Sequence, residues 1–323
     1  MSFTLYIALL AFFGCANKEV GPEELVPISI ETEITLETST GTIYGTLTLP
    51  DADGQFPVVL IIAGSGPTDK NGNNTMGLLT NSYKMISDTL AFHGIASVRY
   101  DKRGVGKSYY NGLEEADLTF EHYISDAENW ISKLKSDTRF AKVLILGHSE
   151  GALIGSIVSN QLTVDGFISV AGTSQKASDL LLEQLSAQPE DIKSEASTII
   201  DSLNKGIPVA NVSPALFSLF RPSVQPFMIS WFKYDPKTEI AKISSPILIL
   251  HGSTDIQVKS AEAPILAQHN PNAEFVVIGN MNHVLKDASD DYQENIATYS
   301  NPNFPLSTGF SVSLLDFIEK IGK

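Results

Sequence analysis

Residues 142–155 read KVLILGHSEGALIG, an apolar run that leads directly into a G-x-S-x-G pentapeptide. The run predicts a buried strand, and the apolar residues after the pentapeptide suit a helix. A strand, a tight turn and a helix in this order place Ser149 on the turn in an unfavourable backbone conformation. Only small residues fit two positions before and two after such a serine, and Gly147 and Gly151 occupy both.

Short apolar runs of the same kind recur along the chain. Continuous runs of this kind are typical of parallel strands that are buried on both faces. Segments with helical periodicity lie between them, so strand and helix alternate. This order predicts an α/β fold with a doubly wound, mostly parallel sheet and with ligands bound beyond the carboxyl ends of the strands. The runs cover residues 58–64, 95–100, 166–172, 246–252 and 274–279.

Two segments depart from this alternation. Residues 29–49 alternate apolar and polar side chains around Ser39-Thr40-Gly41, which predicts an N-terminal antiparallel hairpin with one face toward solvent. Residues 172–246 contain no convincing strand but carry helical patterns. We expect a helical lid at about 174–240 over the strand ends, within one domain that covers 29–323; a laterally packed subdomain is the alternative.

The composition excludes several classes of protein. With 323 residues, 43% apolar and 18% charged, the chain is neither disordered nor a disulfide-stapled miniature scaffold. The formal charge of −15 disfavours binding to nucleic acid or to anionic lipid. The single cysteine, Cys15, permits neither an internal disulfide nor a cysteine-based zinc site.

The N-terminal segment has the pattern of a targeting signal. Leu5 to Phe13 is an apolar run of signal-peptide length, and Gly14-Cys15 after it resembles a bacterial lipobox, in which the cysteine carries the lipid. We expect a lipoprotein-type signal peptide at 1–15, a linker at 16–28, and export with a lipid anchor at the bacterial cell envelope. Without the anchor the protein would be periplasmic or secreted. The alternative is an ordinary N-terminal segment with a core cysteine.

A serine hydroxyl needs a base and a group that orients the base before it can act as a nucleophile. Asp255 follows the predicted strand 246–251, and His283 follows the run 274–279. In a parallel sheet both loops open at the same edge as Ser149. Along the chain the three residues occur in the order Ser149, Asp255, His283, which is one of the orders known for catalytic triads. We therefore predict that they form a triad. His148 and His251 are the rival bases.

Backbone N–H groups must stabilise the oxyanion that such a reaction forms. The N–H of Glu150 stands at the predicted helix N-terminus, directly after Ser149. The loop after strand 58–63 supplies the second donor, with Ser65 as the first choice and Gly66 as the second. Phosphate binding by this loop is disfavoured, because it lacks a third glycine and a following Lys-Ser or Lys-Thr.

Five segments together resemble the α/β-hydrolase superfamily. They are GSGPTDKNGN at 64–73, DKRGVGKS at 101–108, GHSEG at 147–151, LHGSTDIQV at 250–258 and NMNHVLK at 280–286. Within the superfamily the chain is similar to bacterial carboxylesterases of the dienelactone-hydrolase-like and serine-aminopeptidase-like groups. The resemblance implies that Asp101 and Arg103 brace loops near the active site; a purely structural role is the alternative.

The sequence therefore predicts a serine hydrolase that acts on small or medium acyl esters through an acyl-enzyme, without metal or organic cofactor. A serine aminopeptidase or amidase with the same triad is the nearest alternative, and a non-catalytic, surface-anchored binding protein is a third. The sequence does not indicate an oligomeric state. Aromatic residues of the lid segment form either an acyl site or the core of the lid: Phe217, Phe220, Phe227, Trp231 and Phe232.

Overall fold

The computed structural model describes residues 29–110 and 112–322, in which eight strands form one sheet. In spatial order the strands run β1-β2-β4-β3-β5-β6-β7-β8. β2 is antiparallel to both β1 and β4, and all other neighbours are parallel, so the predicted hairpin and parallel sheet are confirmed. The bounds are β1 Ile30–Thr38, β2 Gly41–Leu49, β3 Phe56–Ile62, β4 Ala96–Tyr100, β5 Phe140–His148, β6 Gly166–Val170, β7 Ile247–Gly252 and β8 Ala273–Ile278.

Helices cover both faces of the sheet. They are α1 Ser82–Phe92, α2 Phe120–Lys135, α3 Glu150–Gln161, α4 Ala177–Gln184, α5 Glu190–Asn204, α6 Phe217–Phe220, α7 Gln225–Trp231, α8 Pro236–Ile240, α9 Glu262–Ala267, α10 Tyr292–Ala297 and α11 Thr308–Gly322. Side chains alternate along each strand, so Leu60 packs with α2 and α3 while its neighbour Ile61 packs with α1 and α11. Within the described ranges, every helix is too short or too polar to cross a bilayer.

The edge strand β8 differs from the expectation of burial on both faces. Phe275, Val276 and Val277 are 46%, 38% and 41% exposed. The reason is position, because β8 is the last strand of the sheet and pairs with β7 alone. A continuous apolar run therefore does not distinguish an interior strand from an edge strand.

The segment between β6 and β7 is helical, as its sequence pattern indicates, and consists of α4 to α8. Its helices share a core that includes Phe220 and Phe232, whereas Phe217 is half exposed. Phe227 and Trp231 pack against Phe120 of α2, and Trp231 also packs against the core of the segment. Four of the five aromatic residues thus make packing contacts, and the action of this segment as a lid stays a prediction.

The helical segment reaches the loop that carries Asp255. The Gln184 side chain at the end of α4 donates a hydrogen bond to the carbonyl of Gln257 (3.1 Å), so α4 lies at the carboxyl edge of the sheet. The signal peptide and linker predicted for residues 1–28, with Cys15, lie outside the described residues.

Candidate active site

Ser149 lies on a strained turn between β5 and α3. Its backbone has φ 55° and ψ −118°, a combination that costs free energy in any residue other than glycine. A Cβ atom at Gly147 would lie 2.1 Å from the carbonyl oxygen of Gly151, and one at Gly151 would lie 2.3 Å from that of Ile62 in β3. Both glycines are therefore required for the close crossing of strand and helix. The strained turn predicted from the sequence is confirmed.

Asp255 and His283 meet at the same edge of the sheet. Asp255 lies in the turn after β7 and His283 in the loop after β8, and His283 Nδ1 is 2.8 Å from Asp255 Oδ2. The other carboxylate oxygen, Oδ1, accepts the N–H groups of Gln257 (2.8 Å) and Val258 (2.9 Å). Because an ionised carboxylate only accepts, Nδ1 of His283 carries the proton and Nε2 presents its lone pair.

The Asp255 carboxyl stays ionised despite its burial. Burial alone would raise its pKa, but the charge of His283 and the hydrogen bonds from His283 and Val258 outweigh burial and lower it. A buried anion beside an imidazole stabilises the ring when the ring takes up a second proton. This pair can therefore orient a base and stabilise its charged form.

In the described part of the chain, no hydrogen bond joins the side chains of Ser149 and His283. Among the described residues, the Ser149 hydroxyl has no hydrogen-bond partner. Catalytic hydrogen bonds are often long or poorly aligned before substrate binds. The two segments are nonetheless neighbours, because His148, directly before Ser149, places its Nε2 2.8 Å from the carbonyl oxygen of His283.

His148 is not available as the base. It is buried, and its two ring nitrogens contact the Tyr83 hydroxyl (2.8 Å) and the His283 carbonyl. Burial, with the nearby charge of His283, lowers the pKa of His148 to about 3, so the ring is neutral. The other rival, His251, is fully buried and contacts the Val258 carbonyl through Nε2 (2.9 Å), which is a structural role.

The loop after β3 lies against Ser149. A Cβ atom added at Gly64 would lie 3.2 Å from Ser149 Cβ, so the candidate donor Ser65 follows directly after a residue in contact with the nucleophile. Gly66, the second candidate, has φ +73° and open space around it. On the other side Glu150 is the first residue of α3, where the backbone N–H has no acceptor within the helix.

Asp101 and Arg103 have different roles. Asp101 accepts the backbone N–H of Lys70 (2.9 Å) and that of Lys107 (3.1 Å), so it braces the loop that carries Ser65. Arg103 forms a buried ion pair with Asp126 of α2 and contacts Thr40 in the hairpin turn. The bracing implied by the resemblance thus fits Asp101, whereas the contacts of Arg103 are structural.

Two further residues of this region, Tyr83 and Lys102, were not singled out from the sequence. Tyr83 of α1 bonds to both Gly64 and His148, and a buried ion pair joins Lys102 to the side chain of Glu150. The available signal was charge placement, since Lys102 follows one predicted buried strand and Glu150 follows another. Two opposite charges that follow strands of one parallel sheet lie at the same edge, where they can form a buried pair.

A cavity of about 470 Å³ lies at the opposite edge of the sheet, where β7 and β8 begin, and contains none of these residues. Its charged groups are paired, Lys142 with Asp165 and Lys320 with Glu274. The described part of the chain holds no group of three or more His, Cys, Asp or Glu side chains arranged to bind a metal ion.

Comparisons with known sequences agree with this architecture. Residues 76–217 match the family described as serine aminopeptidase, S33. Over 246 residues the chain is 26% identical to Esterase EstD of Thermotoga maritima, an alignment that covers 75% of this chain and 57% of that protein. The chain therefore spans little more than half the length of that curated relative.

Solved structures share the fold. Est1E from Butyrivibrio proteoclasticus, with ferulic acid bound, matches with a TM-score of 0.58 at 16% identity, over 90% of this chain and 100% of that one. The esterase PF2001 of Pyrococcus furiosus matches with a TM-score of 0.59 at 14% identity, over 91% and 92%. At such identities the agreement establishes the fold alone. The chain has the α/β-hydrolase fold, as its motifs predict.

Proposed function

We propose that the protein is a serine carboxylesterase that uses Ser149, His283 and Asp255. The observation that carries the proposal is the 2.8 Å contact between His283 and a buried, ionised Asp255 at the sheet edge where Ser149 occupies its strained turn. A serine or histidine without a catalytic role does not require a strained backbone or a buried charge beside it. Strain and buried charge are typical of sites that are organised for chemistry.

In the proposed reaction Ser149 Oγ attacks the ester carbonyl carbon while His283 Nε2 takes the hydroxyl proton. Asp255 holds the ring and stabilises its charged form. The N–H groups of Glu150 and Ser65, with Gly66 as the alternative to Ser65, bind the oxyanion of the tetrahedral intermediate. His283 then returns the proton to the leaving alcohol, and water releases the acid from the acyl-enzyme by the same steps. The mechanism assigns no step to a metal or an organic cofactor.

Ester substrates are supported by the relatives that are named esterases, EstD among the sequences and PF2001 among the structures. We place small or medium acyl esters first, because the helices α4 to α8 direct most of their aromatic side chains into packing contacts. The acyl group would lie between these helices and the Ser149 turn.

Replacement of the nucleophile tests the proposal. Ser149→Ala should lower turnover of short-chain nitrophenyl esters by about 10³-fold or more at an unchanged melting temperature. Ser125→Ala, which alters an exposed serine of α2, is the matched control and should retain full activity. A fluorophosphonate probe should label the wild type and not Ser149→Ala. Undiminished turnover in Ser149→Ala would exclude the mechanism, and an unlabelled, inactive wild type would favour a binding protein.

Amide hydrolysis is the second candidate, because the matched family is described as serine aminopeptidase, S33. The same triad can cleave either bond, so the assay must compare them. Aminoacyl anilides and nitrophenyl esters should be tested in parallel on one preparation. A kcat/KM that is higher for anilides than for esters would replace the esterase proposal with a peptidase.

We also propose that the protein is exported and anchored through a lipid on Cys15. The support is the apolar run Leu5 to Phe13 followed by Gly14-Cys15. In a bacterial host, the wild type should incorporate labelled palmitate and sediment with membranes, whereas Cys15→Ser should do neither. A wild-type protein that takes up no label would exclude the anchor.

A further inference from the structure

Both backbone polar groups of Gly64 are held by buried side chains. Its N–H donates to the Tyr83 hydroxyl oxygen (3.0 Å), and its carbonyl accepts a hydrogen bond from Lys102 Nζ (2.5 Å). The Lys102 side chain is 2% exposed. A lysine is rarely buried to this extent, because removal of its charge from water is costly.

The Gly64 carbonyl and the Ser65 N–H belong to one amide group. No cis peptide bond occurs in the described chain, so the two groups point in opposite directions from the same plane. The contact with Lys102 thus fixes the direction in which the Ser65 N–H points, away from the ammonium group. A cation at a carbonyl oxygen also polarises the amide and strengthens its N–H as a donor.

The same ammonium group contacts the residue that carries the other candidate donor. Lys102 Nζ is 3.2 Å from Glu150 Oε1, and each side chain is 2% exposed. The Tyr123 ring lies below the ammonium group, with its centroid 5.1 Å away. The carboxylate and the ring offset the burial of the lysine charge. Lys102 therefore links the two segments whose N–H groups flank Ser149.

We infer that Lys102 is a positioning residue of the oxyanion site, which orients and polarises the amide between Gly64 and Ser65. The inference rests on the proposed function. Because the oxyanion exists only in the transition state and the intermediate, loss of this contact should lower kcat and leave KM nearly unchanged. If the ion pair were merely structural, its loss would alter stability without lowering kcat at a nearly unchanged KM.

The decisive variant is the double substitution Lys102→Met/Glu150→Gln. Lys102→Met alone would leave the Glu150 carboxylate buried without a partner, whereas the double variant is neutral and similar in shape. It should lower kcat about tenfold or more, less than the loss of a whole donor. Affinity for a trifluoromethyl ketone, which forms an oxyanion at the serine, should fall by the same factor as kcat/KM.

The neighbouring ion pair supplies the matched control. Arg103 and Asp126 have side chains that are 6% and 2% exposed, and their contacts lie at the hairpin turn and α2. Arg103→Met/Asp126→Asn should lower the melting temperature and leave kcat within about twofold, since it removes charge at similar burial without a contact to Gly64.

The outcomes separate this inference from the proposed function. If the wild type hydrolyses esters but the Lys102→Met/Glu150→Gln variant keeps its kcat and its affinity for the ketone, the inference is wrong and the proposed function stands. A rise in KM at unchanged kcat overturns it equally. A wild type that neither hydrolyses esters nor reacts with the fluorophosphonate overturns both.

Discussion

His148 Nε2 and the carbonyl oxygen of His283 are 2.8 Å apart. A carbonyl only accepts, so Nε2 carries the proton of the neutral ring and Nδ1 accepts from the Tyr83 hydroxyl, 2.8 Å away. The Tyr83 oxygen in turn accepts the Gly64 N–H. A directional chain of hydrogen bonds thus joins the loop after β3, the Ser149 turn and the His283 loop. The Ser149 turn therefore cannot shift relative to His283 without breaking this chain of hydrogen bonds.

Removal of the central hydroxyl should weaken this connection. Tyr83→Phe leaves two buried groups, the Gly64 N–H and the lone pair of His148, without partners, so we expect the free energy of unfolding to fall by about 2 to 3 kcal/mol. Urea unfolding at pH 7 measures the change. Tyr109→Phe removes an exposed hydroxyl and should change the value by less than about 0.5 kcal/mol. Equal losses in both variants would show that the chain of hydrogen bonds contributes nothing.

The buried neutral His148 should make the protein sensitive to acid. The unfolded chain binds a proton at this residue below about pH 6.5, whereas the folded chain does so only near pH 3. Between these values the unfolded state binds more protons, so this contribution to stability is complete above pH 6.5. Below pH 6.5 the free energy of unfolding falls by about 1.4 kcal/mol for each pH unit because of this residue.

His148→Gln should therefore reduce the pH slope of the free energy of unfolding between pH 6 and 4.5 by about 1.4 kcal/mol per unit. Urea unfolding at intervals of half a pH unit measures the slope. His93→Gln, at an exposed histidine, is the control. An identical slope in His148→Gln and the wild type would show that His148 does not take up this proton.

The fold was predictable because its signals are local. Apolar runs marked β3 to β8, alternation marked the hairpin, and two glycines around Ser149 marked the crossing of strand and helix. The same argument placed Asp255 and His283 at one edge, since parallel strands end on the same side. Their 2.8 Å contact follows from topology rather than from any feature of either residue alone.

The remaining features depend on side-chain packing that no local pattern records. The exposure of β8 reflects its place at the edge of the sheet, which the run Phe275 to Val277 does not reveal. Tyr83 has the spacing of an ordinary core residue, and only the folded chain brings its hydroxyl to Gly64 and His148. For Lys102 the sequence shows only that it follows a buried strand, and this position alone does not reveal that its charge is buried.

The crossing of β5 and α3 gives a test of the backbone geometry. In Gly151→Ala the new methyl group would meet the backbone carbonyl of Ile62 at 2.3 Å, which no rotamer change relieves. We expect a loss of about 3 kcal/mol in the free energy of unfolding, at the upper end for overpacking. Gly279→Ala adds the same methyl group where no atom lies within 4 Å and should be nearly neutral. Comparable stability of the two variants, measured by urea unfolding, would contradict the tight crossing.

The two roles that the sequence allows for the aromatic residues of 174–240 can be separated by stability. Phe220 is fully buried in the core shared by α4 to α7, whereas Phe217 is 49% exposed on the same short helix. Phe220→Ala should cost about 3 to 5 kcal/mol, because a phenyl-sized cavity forms in a packed core. Phe217→Ala should cost less than about 1 kcal/mol, since half of its surface already meets water. If this segment unfolds separately from the sheet, the loss appears as an earlier thermal transition for Phe220→Ala, with the main transition unchanged. Similar, small losses in both variants would mean that these helices lack a core of their own.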